Sequence, residues 1–174
     1  MVLQLTIEHL QAVRAYGEHT YPYECCGLLL GLQSRAEVGG CRTVVELWST
    51  QNAWNAEAAA LMESPLSLTS ASRYWIDPKD ILNAQRYARN RQLDIIGVYH
   101  SHPDHPAVPS ECDRTLAWAG YSYIIVSVLE GNAQDLLSWN LDKDHQFQSE
   151  ALLVMGDRRQ IESESEFPEP TFCP

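Results

Sequence analysis

The sequence predicts a single α/β domain of the α+β type, with a central mixed β-sheet flanked by helices. Three observations carry this. Two stretches have the apolar spacing of amphipathic helices, and several short apolar runs bounded by glycine, proline or polar residues read as strands. The 174 residues, 45% hydrophobic, are enough for one real core.

From Thr6 to Glu18 apolar residues recur at Ile7, Leu10, Val13 and Tyr16, one face of a helix that Thr6 can cap. After Tyr21-Pro22, the run Cys26-Gly27-Leu28-Leu29-Leu30-Gly31 is short, apolar and closed by glycine, as a buried strand is; Glu24 stands at its entrance. Arg42 to Ser49 (RTVVELWS) is rich in β-branched and large residues, and Gly39-Gly40 before it favours a hairpin with the preceding strand. Gln51 to Ser72, rich in Ala, Ser and Asn, reads as a long loop with a helical turn around Ala56 to Met62.

Arg73 to Asp77 (RYWID) reads as a strand. Pro78 then opens a helix capped by Asp77 and running to about Arg91, with Ile81, Ala84 and Ala88 inward. Asp94 to Tyr99, Tyr121 to Leu129 and Leu136 to Leu141 are predicted strands, the last after a turn at Gly131-Asn132. Ser110-Glu111-Cys112-Asp113 has the form of a capping box for a helix that would carry Trp118 onto the sheet. Residues 1–155 form the predicted domain. The stretch 156–174, dense in Glu, Ser and Pro, is too poor in apolar residues to bury much surface and is expected to be a mobile acidic tail.

A formal net charge of -11 argues against a nucleic-acid partner, since phosphate binding depends on clustered Lys and Arg. No apolar run approaches the roughly 18 residues of a membrane span, and MVLQLTIEHL lacks a basic region ahead of an apolar one, so a soluble cytoplasmic protein without membrane partners is expected. Cys25, Cys26, Cys41, Cys112 and Cys173 form neither an even framework nor a CxxC pair, in keeping with reduced thiols.

The stretch from Tyr99 to Asp113, YHSHPDHPAVPSECD, holds the candidate chemistry. His100 and His102 lie two apart at a strand end, so their rings share one side of the sheet and can converge on an ion, while Ser101 faces away. A catalytic zinc site needs three protein ligands and an open fourth position. Spacing alone leaves Asp104, His105, Glu111, Cys112 and Asp113 all open as the third.

The run His100-Ser101-His102-Pro103, five residues, Pro109-Ser110, two residues, Asp113 resembles the signature of the JAMM, or MPN+, zinc metallopeptidases. Glu24-Cys25-Cys26-Gly27-Leu28-Leu29 is similar to a second element of that family. The likeness extends through RYWIDP, DIIGVYHSHP and YSYIIVSV, over roughly residues 1 to 155. It implies a cytidine-deaminase-like MPN/JAMM fold and one Zn2+ per chain held by His100, His102 and Asp113, with Asp104 and His105 left in the loop. It further implies Glu24 as general base and Ser110 as the donor that stabilises the oxyanion.

This short chain resembles the small prokaryotic members. The implied reaction is hydrolysis of a peptide or isopeptide bond after the C-terminal Gly-Gly of a ubiquitin-like sulfur-carrier protein, with a substrate groove near Trp54 to Trp75. Two other readings compete: a scaffold of the same fold without catalysis, and thiol chemistry at Cys25 or Cys26, whose pKa the adjacent Glu24 would raise. The remaining tryptophans are assigned to core or groove packing.

Overall fold

The computed structural model describes residues 1–34, 40–61 and 69–156. Its architecture turns on a strand that the helix-dominated N-terminal pattern hides. Val2–Thr6 (β1) alternates, burying Leu3 and Leu5, and passes at Thr6 straight into helix α1 (Ile7–Thr20). The Thr6 side chain accepts the His9 N–H while the His9 ring accepts the Thr6 N–H, so the predicted cap is present in reciprocal form.

The chain continues through β2 (Cys26–Gln33), β3 (Cys41–Thr50), α2 (Ala56–Leu61) and α3 (Pro78–Asn90) to β4 (Asp94–Pro103). It ends its described part with α4 (Glu111–Leu116), β5 (Ser122–Leu129), β6 (Asn132–Leu141) and β7 (Phe147–Met155). The strands follow one another around a closed barrel in the order β1-β3-β2-β4-β5-β6-β7, with β1 pairing in parallel with both β3 and β7. The expected mixed sheet with helices is present, but the picture of a central sheet flanked by helices is corrected: β1 closes the sheet into a barrel. Sealing removes both rows of unpaired backbone groups that open edges would present.

One side of the sheet gathers Leu3, Leu5, Leu29, Val44, Ile96, Tyr99, Ile124, Val126, Val128 and Leu136 with Val13 of α1. The other gathers Cys26, Leu28, Leu30, Val98 and Tyr123 with Ala84 and Ala88 of α3. Each large aliphatic side chain so buried contributes about 1.5–3 kcal/mol. Gly27 is small because Tyr99 lies over it: a Cβ there would meet the Tyr99 ring and hydroxyl at 2.4 Å. Between β5 and β6, Glu130 (φ 48°) and Gly131 (φ 81°) take the left-handed backbone of a two-residue hairpin, one residue earlier than the expected turn.

Several other expectations are corrected. Residues 73–77 are not a strand: Asn52 takes up their backbone groups, its Nδ2 donating to the Arg73 carbonyl and its Oδ1 accepting the Trp75 N–H, while Ala53 N–H donates to the Trp75 carbonyl. Helix α4 stops at Leu116, and Trp118, 49% exposed, lies beyond it edge-on to Tyr121. Trp54 packs with Trp75 over Ala58 and Ala59, while Trp75 also lines an apolar groove of about 360 Å³ with Tyr74, Ile76, Val98 and Trp118, so the expected groove lies at the Trp75 end of that stretch. The β2–β3 hairpin is present, but its turn, Met62 of the expected helical turn and the acidic stretch beyond Gly156 lie outside the described residues. No helix among the described residues is long and apolar enough to cross a membrane.

Candidate metal centre

Strand β4 runs four residues past its expected end and carries both histidines within the sheet, between Cys26 of β2 and Ile125 of β5 at the level of His100. Pleating sends His100 and His102 to one side and Ser101 to the other, where its hydroxyl accepts the Cys25 N–H at 2.8 Å. His100 is fully buried, its ring stacked on Tyr74 with centroids 4.5 Å apart.

The loop from β4 to α4 is fastened at three points. Asp104, in left-handed backbone (φ 55°), accepts the Glu130 N–H and the Tyr21 hydroxyl. Ser127 donates to the His105 carbonyl at 2.7 Å, and Trp139 Nε1–H donates to the Ala107 carbonyl at 3.0 Å. These bonds deliver Asp113 in the first turn of α4 to the histidines.

Ser110 caps α4 as expected: its Oγ accepts the Asp113 N–H at 3.2 Å, and Asp113 Oδ2 accepts the Ser110 N–H at 2.6 Å. An aspartate that faced the histidines would be expected to give up that second bond. It does both, because α4 begins beside β4: Asp113 Oδ1 lies 3.3 Å from His100 Nε2 and Oδ2 lies 3.5 Å from His102 Nε2. His105, Asp104, Glu111 and Cys112 stay out of the cluster. Ligand atoms of His100, His102 and Asp113 lie within 4.8 Å of one another.

The donor chemistry of this cluster suits a cation. His102 Nδ1–H donates to the Pro106 carbonyl at 2.9 Å, which leaves the Nε2 lone pair facing inward, 3.0 Å from His100 Nε2. A tetrahedral zinc with 2.0–2.1 Å bonds sets its ligand atoms about 3.3–3.4 Å apart; here the two imidazole nitrogens are 3.0 Å apart, and each lies 3.3 or 3.5 Å from a different oxygen of Asp113. The protonation states of His100 and Asp113 agree with this. Burial pushes the His100 imidazole down to about 4, so it is neutral near pH 7. Burial alone would raise the Asp113 carboxyl, but His100, His102 and the Ser110 amide hold it well below the usual carboxylate range. His102 titrates above its ordinary value: burial opposes this, and Asp113 outweighs it.

Glu24 precedes β2, its backbone N–H donating to the Ser70 carbonyl and its carbonyl accepting Asn52 Nδ2. Its side chain opens onto a cavity of about 330 Å³ that His102, Ser110, Asp113, Tyr74 and Arg73 also line. Burial pushes this carboxyl up to about 8, with Asp113 adding to the shift and His102 and Arg73 opposing it. The thiols are poor nucleophiles. Burial pushes Cys25 up to about 11 and Cys26 up to about 12.

Five expected site residues therefore meet in one place, and three more were not foreseen. Tyr74 covers His100, Arg73 lines the cavity, and Asn52 ties both Glu24 and residues 73–75 together. Nothing local marks Asn52; Arg73 and Tyr74 stood out only as part of a supposed strand and of the RYWIDP likeness.

The sequence profile described as prokaryotic homologs of the JAB domain matches residues 6–142. The chain belongs to this family. It is a small prokaryotic-type member of the JAMM/MPN group. A desampylase of Haloferax volcanii is 32% identical to this JAB protein over 107 residues, 61% of the chain and 63% of that relative, so the match spans less than two thirds of the relative. The solution structure of a protein from Desulfitobacterium hafniense superposes with a TM-score of 0.70 at 25% identity, covering 89% of this JAB chain and 94% of that one. A protein from Salinibacter ruber gives 0.61 at 30% identity, covering 95% and 94%.

Proposed function

We propose that this JAB-family protein is a zinc-dependent hydrolase that cleaves the amide bond following the C-terminal Gly-Gly of a ubiquitin-like sulfur-carrier protein. The observation that carries the reading is the convergence of two imidazoles and a carboxylate within 4.8 Å, beside a buried glutamate. The likeness to desampylase supports a ubiquitin-like modifier as the acyl side of the substrate.

His100, His102 and Asp113 would hold one zinc per chain. Bound there, zinc supplies a Lewis acid that acidifies water and polarises a carbonyl. Glu24, whose buried side chain lines the same cavity as His102, Ser110 and Asp113, takes the proton of the attacking water and returns it to the departing amine. The Ser110 hydroxyl spends a lone pair on the Asp113 N–H, so its own proton is free to donate to the developing oxyanion. One such donor is typically worth about 2.7–4 kcal/mol of barrier. The burial of Cys25 and Cys26 and their raised thiols speak against a cysteine nucleophile.

The test is incubation of the zinc-loaded protein with sulfur carriers extended beyond Gly-Gly, read by intact mass. Cleavage after Gly-Gly that stops in Glu24→Gln supports the reading. Carriers left intact by zinc-loaded wild type would refute it.

A further inference from the structure

Helix α4, which is capped by Ser110 and carries Asp113, has only six residues, too few to be stable without outside support. Its last carbonyls also lack partners within the helix. The Trp118 N–H would close a further turn onto the Arg114 carbonyl, but it donates instead to the Tyr123 hydroxyl of β5 at 2.6 Å, and the chain turns extended at Ala117. The Arg114 carbonyl is taken by His145, whose Nε2 lies 2.9 Å away. A carbonyl only accepts, so this Nε2 carries a proton.

His145 comes from the turn between β6 and β7, 31 residues further on. The turn is organised around Asp142. Its Oδ1 accepts the N–H groups of Asp144 and Gln146 at 2.9 and 2.8 Å, and its Oδ2 accepts Gln148 Nε2 at 2.9 Å. His145, in left-handed backbone (φ 57°), donates its own N–H to the Asp142 carbonyl. Histidine and asparagine are among the few side chains that take this backbone readily. The same hairpin also holds the segment ahead of α4, where Trp139 of β6 donates to the Ala107 carbonyl. It thus grips residues 107–114 at both ends, with Ser110 and Asp113 between the two grips.

We propose that His145 is a positioning residue for the metal centre. By taking the Arg114 carbonyl, one peptide unit from Asp113, it fixes the first turn of α4 so that Asp113 faces His100 and His102. This rests on the metal-centre reading above. Such sites tolerate displacements of only about 0.5 Å, and a helix this short has few other contacts to hold it that closely.

The test uses the full chain with two substitutions. His145→Asn keeps the left-handed backbone but is too short to reach Arg114; His145→Gln extends an amide donor to the place of Nε2. Zinc affinity is measured by competition with a chromophoric chelator, and exchange of the Asp113 amide proton by NMR on the metal-free chains. His145→Asn is expected to bind zinc about three- to tenfold more weakly and to exchange faster by a similar factor, with its urea midpoint unchanged. His145→Gln should restore much of both. Wild-type zinc affinity or unchanged exchange in His145→Asn would overturn the proposal, as would equal losses in the two variants. A loss of affinity matched by a fall in the urea midpoint would overturn it too, leaving His145 a general structural role. Faster exchange rescued by His145→Gln, in a protein whose wild type binds no zinc, would uphold the hold on Asp113 and count against the metal reading.

Discussion

Closing the barrel places Arg42 of β3 against Glu150 of β7, and replacing Glu150 by alanine should be among the most damaging changes in the chain. The two side chains are 1% and 0% exposed and meet at 3.3 Å. Arg42 also donates to the Ser122 hydroxyl and the Gly120 carbonyl, and Glu150 accepts the Ser138 hydroxyl at 2.9 Å, so the pair joins β3, β5, β6 and β7. Removing the carboxylate leaves a guanidinium buried without its counter-charge, a loss of about 3–5 kcal/mol. Total stability for such a domain is of order 5–15 kcal/mol, and about 2–4 °C of Tm goes with each kcal/mol at this size. The expected drop is about 6–20 °C. Urea and thermal unfolding followed by circular dichroism measure it. The double variant Arg42→Met with Glu150→Leu should recover most of the loss, because well-packed apolar residues often replace a buried ion pair at no cost. A loss below about 1 kcal/mol in Glu150→Ala would refute the reasoning. So would a double variant as unstable as the single one.

Two further outcomes follow from the site. Asn52→Ala removes the bonds that hold Glu24 and residues 73–75 together, and should lower stability by about 2–3 kcal/mol in urea unfolding and lower kcat while leaving zinc content unchanged. Burial raises the Glu24 carboxyl from its ordinary 4.5 to about 8 in the metal-free fold, so the folded protein binds more protons than the unfolded chain between those values and stability falls as pH rises through that window. Metal-free Glu24→Gln should therefore melt higher than metal-free wild type at pH 8, by an amount that shrinks toward pH 4.5. A difference independent of pH in parallel melts would contradict this.

What could be read from the sequence was what repeats locally. The period of two along β4 put His100 and His102 on one side of the sheet, and Thr6, Asp77 and Ser110 announced their helices as caps do. The barrel was not legible, because its closure depends on parallel pairing of Val2–Thr6 with residues 151–155, almost a full chain length apart. β1 is only five residues long and runs into α1 without a turn, so its alternation is masked by the helical pattern that follows. Residues 73–77 have strand composition but spend their backbone bonds on an asparagine side chain, which no local pattern encodes.

Asp113 illustrates the middle ground. Its place in a capping box was visible, but its second task, facing both histidines, came by resemblance and depends on where the loop through Asp104, His105 and Ala107 is pinned. Tyr21 just after α1, Ser127 of β5 and Trp139 of β6, which do the pinning, are far apart in sequence, and nothing local announces that task.

The central claim is that His100, His102 and Asp113 hold a metal, and Asp113→Asn tests it most directly, because asparagine can still accept the Ser110 N–H and cap α4 while losing the charge that faces the histidines. Zinc content measured by elemental mass spectrometry after exhaustive dialysis should be about one per chain in wild type and near zero in a folded Asp113→Asn variant. Wild type that emerges metal-free, or Asp113→Asn that keeps its zinc, would contradict the account.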